Sequence, residues 1–126
     1  MNSTPITIAG NLADEPELRL TPGGRACVRL RMAVNARHQD STGAWIEGAT
    51  SWHTVIAWGA LAEHAASSLT RGERVVVHGR LEQRDYATEA GERRSVWEVT
   101  ADEVGLSLRH APAHREPTPA VAAATS

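Results

Sequence analysis

Along the segment Val28 to Asn35 apolar and polar positions alternate: Val28, Leu30, Met32 and Val34 share one parity, and Arg29, Arg31 and Asn35 take the other. Period two sends successive side chains to opposite faces of a strand, so the arginines point away from the core. Upstream, Ile6 to Leu12 reads as a first strand containing a glycine bulge, joined to the second by the turn Thr21-Pro22-Gly23-Gly24. A third strand covers Ser51 to Trp58. Between the second and third, Asp40-Ser41-Thr42-Gly43 and Glu47-Gly48 mark a protruding hairpin with Trp45 at its tip. Leu61, Ala65 and Leu69 recur every four residues with Gly72 just beyond, which predicts one short helix over Ala60 to Leu69. Alternation resumes from Arg74 to Tyr86, where Val75, Val77, Gly79 and Leu81 line one face and Val76, His78, Arg80, Arg84 and Tyr86 the other. Ala90-Gly91 then turns the chain into a last strand at Ser95 to Val104.

Three strands, one helix and two strands, with long hairpins after strands two and four, is the order of the five-stranded OB barrel. The expected fold is therefore all-β, with its one short helix between strands three and four. Residues 1–109 are assigned to this domain. From His110 the chain becomes rich in Pro and Ala without periodicity, so 110–126 is expected to be a disordered tail. No segment approaches the roughly 20 apolar residues of a membrane span, and Met1 to Glu15 lacks the pattern of a signal peptide. A cytoplasmic protein without membrane contact is expected.

The formal net charge of −2 argues mildly against a nucleic-acid partner, but its distribution changes the picture. Leu18 to Gln39 holds five arginines, Arg19, Arg25, Arg29, Arg31 and Arg37, and no acid. A second basic group runs from Arg71 through Arg80 and Arg84 to Arg94, while acids gather at Asp14 to Glu17 and Glu98 to Glu103. Such segregation can build a positive groove on an acidic protein. Cys27, the single cysteine, is expected as a small buried hydrophobe.

The third strand carries the most informative chemistry, because period two places Trp52, Thr54, Ile56 and Trp58 on one side. Its two indoles lie about 20 Å apart at roughly 3.3 Å per residue. Val55 and Ala57 already supply an apolar face, which leaves the tryptophans surplus to a small core. Separated aromatic platforms hold bases at intervals along an extended strand, with arginines following the phosphates.

Over residues 6 to 109 the chain resembles the bacterial single-stranded DNA-binding protein family. The resemblance rests on Gly10-Asn11-Leu12, Asp14-Glu15-Pro16-Glu17-Leu18-Arg19, Thr21-Pro22-Gly23-Gly24, Trp52-His53, Trp58-Gly59, Leu61-Ala62-Glu63, Leu69-Thr70-Arg71-Gly72 and Val77-His78-Gly79-Arg80-Leu81, in that order. It implies a homotetramer of OB folds around which single-stranded DNA wraps, bound without marked sequence preference and protected during replication, recombination or repair at the nucleoid. The family's stacking positions fall on Trp52, Trp58 and Tyr86. A fourth falls on His38, whose imidazole offers a smaller surface. Arg29, Arg31, Arg37, Arg80 and Arg84 are the expected phosphate contacts, and Trp45 touches either DNA or a neighbouring subunit. His53 is implied at a subunit contact, and Trp97 is assigned to core or interface. Many relatives end in an acidic tip that recruits replication enzymes. This chain has no acid after Glu116, so that recruitment is not expected, and an accessory paralogue is implied.

Enzymatic readings find only dispersed parts. His110 and His114 stand at i, i+4 in the expected tail, and Cys27 with His53 belongs to no catalytic motif, so no catalytic residue, metal or cofactor is assigned. Two rivals remain: an OB-type RNA-binding module, since stacking alone does not read the 2′-OH, and a structural subunit whose aromatics are buried in protein interfaces.

Overall fold

Val28, Leu30 and Met32 are buried while Arg29 and Arg31 are exposed, so the alternation along this segment is the two faces of one strand. The computed structural model describes residues 4–116, with the side chains at 36–38 and 47 outside that description. Its elements are β1 (Thr4–Leu12), β2 (Glu17–Leu20), β3 (Ala26–Gln39), β4 (Trp45–Trp58), α1 (Gly59–Ser68), β5 (Arg74–Ala87) and β6 (Arg93–Leu106). The strands pair in the order β1-β5-β6-β4-β3-β2, and β1 also pairs with β3. That second pairing closes five strands into a barrel and leaves β2 outside it, on the edge of β3.

The core is small and aliphatic. Ile8 and Leu12 from β1, Val28, Leu30 and Met32 from β3, Val55 and Ala57 from β4, Val75 and Val77 from β5, and Val99 and Ala101 from β6 are all buried. Helix α1 joins them through Ala62 and Ala65, with Leu69 following it, and packs on β3 and β4. Small residues on the buried face let the helix axis lie close to the barrel.

Two glycines make closure possible. A Cβ at Gly10 would press on the Ala33 carbonyl oxygen, just where β1 begins to pair with β3 through Asn11↔Ala33. At Gly79 a Cβ would press on the carbonyl oxygen of Thr100, at the register shift between β5 and β6. Both sites need a backbone without a side chain because another backbone occupies the space.

The long strands outrun the barrel. β4 and β6 pair in parallel only at Val55↔Val99 and Ile56↔Thr100, whereas β5 and β6 continue as a two-stranded arm to Ala87↔Arg93. This arm carries Tyr86 and Trp97, and the β3–β4 hairpin projects likewise toward Trp45.

β2 was not foreseen among the five expected strands, which correspond to β1, β3, β4, β5 and β6. Residues 110–116 of the expected tail form no helix or strand, and 117–126 lie outside the described residues. No helix among the described residues is long and apolar enough to cross a membrane.

Candidate nucleic-acid interface

Register fixes which residues share the outer face. β3 and β4 oppose one another through Cys27↔Trp58, Arg29↔Ile56, Arg31↔Thr54 and Ala33↔Trp52. These positions alternate with the buried Val28, Leu30, Val55 and Ala57, so Trp52, Trp58 and the arginines project outward together. Trp52 is 55% exposed and Trp58 half-buried. Across the sheet, Arg29, Ile56, Thr100 and Arg80 form one lateral row, which joins the basic residue of β3 to that of β5.

Each of three aromatics has a guanidinium over its ring. Arg25 Cζ lies 4.5 Å from the Trp58 centroid, Arg31 Cζ 4.9 Å from that of Trp52, and Arg84 Cζ 5.7 Å from that of Tyr86. Such contacts orient the ring and leave its other face for stacking. Arg25 was not among the expected site residues. It stands after the turn glycine Gly24 and before the alternating run, so periodicity gave it no assignment.

The arginines differ in their freedom. Arg84 Nε donates to Glu98 Oε1 at 2.9 Å and Arg84 Nη2 to Glu98 Oε2 at 3.3 Å. The Glu98 carboxylate raises the Arg84 pKa above its ordinary value, through these hydrogen bonds first and through charge second. Arg80 Nη1 lies 4.0 Å from Glu82 Oε1. Among the described residues, Arg25, Arg29 and Arg31 have no carboxylate within ion-pair distance.

Charges separated along the chain are therefore not separated in space. Glu98, from an acidic stretch, is clamped to Arg84, and Asp14, Glu15 and Glu17 share a cavity of about 370 Å³ with Arg29 and Arg31. A larger open groove of about 700 Å³ runs between Arg29, Ile56 and Trp58 on one wall and Arg84, Glu98 and Thr100 on the other. Cys27 lines both. It is half-buried on the outer face rather than in the core, because its parity is that of Arg29.

The remaining expected residues are placed as follows. His53 faces the core side of β4, half-buried, with Nε2 3.0 Å from Ser51 Oγ. Trp45 is 65% exposed beside the β3–β4 turn. Trp97 shares the parity of buried Val99 yet is 57% exposed, because it stands on the arm beyond the barrel's end; it is not a core residue of the protomer. The side chains of Arg37 and His38 lie outside the described residues, although their backbones pair with Glu47 and Ile46.

The chain matches the Single-strand binding protein family over residues 3–107. It is 47% identical over 120 residues to a single-stranded DNA-binding protein of Corynebacterium glutamicum, covering 94% of this chain and 53% of that one. To a single-stranded DNA-binding protein of Mycobacterium tuberculosis it is 49% identical over 111 residues, 87% of this chain and 68% of the relative. The chain thus spans between about half and two-thirds of these relatives' length. The crystal structure of a small single-stranded DNA-binding protein from Streptomyces coelicolor superposes with a TM-score of 0.72 at 39% identity, covering 86% of this chain and 97% of that one.

Proposed function

The chain belongs to the single-strand binding protein family, and from that premise we propose that it binds single-stranded DNA along the outer face of β3 and β4. The observation that carries this reading is the set Trp52, Trp58 and Tyr86, each with one ring face under an arginine. Bases stack on the rings, and phosphates run to Arg25, Arg29 and Arg31, with Arg37, Arg80 and Arg84 beside the path. Stacking and phosphate contacts do not read base edges, so sequence preference is weak. The protein acts by covering the strand, not by catalysis, wherever replication, recombination or repair exposes it.

Its working form is a homotetramer, with His53 and the exposed Trp97 and Trp45 at subunit contacts or beside the wrapped strand, and its place is the nucleoid. Titration with oligo(dT), followed by intrinsic Trp fluorescence, tests the binding reading. Fluorescence should fall, and a duplex of equal length should compete poorly. A matched RNA that competes equally would turn the assignment to an RNA-binding module, and equal affinity for duplex would overturn it.

A further inference from the structure

We propose that Glu98 is a built-in substitute for a backbone phosphate, holding Arg84 neutralised so that Arg84 serves the nucleic-acid path at Tyr86 and not as a phosphate ligand. The proposal rests on the single-strand reading of this face. A carboxylate and a phosphate offer the same pair of acceptors to a guanidinium fork, and Glu98 takes that place with both oxygens, on Nε and Nη2 of Arg84. The Glu98 side chain is only 13% exposed while that of Arg84 is 55% exposed, so the carboxylate is fixed in the groove wall and the guanidinium lies over it toward solvent.

A second carboxylate stands beside the pair. Glu82 stands directly opposite Glu98 in the β5–β6 register, and Arg80 is the cation nearest Glu82. With its charge cancelled, Arg84 is left with one defined contact toward the path, the 5.7 Å approach to the Tyr86 ring. Glu98 is thus a positioning residue: it sets Arg84 against Tyr86 and removes it from the count of phosphate ligands. Arg25, Arg29 and Arg31, at the other wall, carry no such partner among the described residues. A bound strand is then held electrostatically at the β3 wall, while Arg84 serves the path only through its contact with Tyr86.

Salt dependence separates this role from a merely structural one, because each phosphate neutralised on a single strand adds about 0.7 to the log–log slope. Glu98→Gln should tighten oligo(dT) binding several-fold at low salt and steepen the slope by about one such increment. Arg84→Gln in the Glu98→Gln background should abolish the gain. Thermal melting of each variant confirms that it is folded. Arg29→Ala, which should flatten the slope, is the control for the binding face itself. If Glu98→Gln leaves slope and affinity unchanged while Arg29→Ala flattens the slope, the face binds DNA and the Glu98 assignment is wrong. A native chain that fails to bind oligo(dT) overturns the function, and this assignment with it.

Discussion

Arg31 reaches diagonally across the β3–β4 pair to lie 4.9 Å from the ring centroid of Trp52, although the residue directly opposite it is Thr54. One strand supplies the platform and the other the cation, so the indole is oriented before any base arrives. At an exposed site such a contact is worth about 0.5–1 kcal/mol.

Arg31 therefore has two roles, and substitutions should separate them. Arg31→Ala loses both the ring contact and one phosphate ligand, and the slope of log affinity against log salt should fall by about 0.7. Arg31→Lys keeps the charge, so the slope should be retained while affinity still drops. Fluorescence titration at several salt concentrations decides the matter, and a Lys variant with the native slope and the native affinity would remove the ring contact from the account.

At Gly79 the barrel tolerates no side chain. Because a Cβ would press on the Thr100 carbonyl oxygen at the β5–β6 register shift, Gly79→Ala should destabilise the fold by about 1–3 kcal/mol. Gly23, by contrast, has open space around it, and Gly23→Ala should be nearly neutral. Denaturant unfolding of the two variants compares them directly.

Asp40 organises the β3–β4 turn. Its Oδ1 accepts the Thr42 hydroxyl at 2.6 Å, the Thr42 N–H at 2.8 Å and the Ala44 N–H at 3.0 Å. The Thr42 hydroxyl and amide are the leading causes that lower the Asp40 pKa below its ordinary 3.8. A depressed carboxyl pKa contributes stability that is present above the unfolded value and is lost as pH falls through the folded one. Amide exchange at Thr42 and Ala44 should accordingly quicken on acidification below about pH 3.8, relative to the barrel strands. In Asp40→Ala it should be fast already at neutral pH. Exchange that is unchanged by the substitution would show that the turn holds without the carboxylate.

Much of this architecture was legible in the sequence because burial follows parity where a strand lies within the barrel. Val28, Leu30 and Met32, and the opposite pair Val55 and Ala57, are buried as their alternation requires, and Trp52 and Trp58 project from the other face. Parity does not say where the barrel ends. Trp97 therefore read as core or interface on the strength of its neighbour Val99, and Cys27 read as buried because its own strand's period was not extended back to it. β2 escaped for a different reason: Glu17 to Leu20 are all exposed, and the strand is defined by its hydrogen bonds to β3. Charge runs misled most. Antiparallel pairing brings Glu98 to Arg84 across 14 residues, which no linear count of acids and bases reveals.

Trp52→Ala puts the central claim to its most direct measurement, oligo(dT) affinity and thermal midpoint determined on the same preparation. Trp52 is 55% exposed, so its loss removes a stacking platform and little of the core. Affinity should weaken by about 1–3 kcal/mol, on the order of five- to 150-fold, with the midpoint nearly unchanged. A variant that binds oligo(dT) as tightly as the native chain would contradict the account, because the outer face of β3 and β4 would then not be where the strand lies.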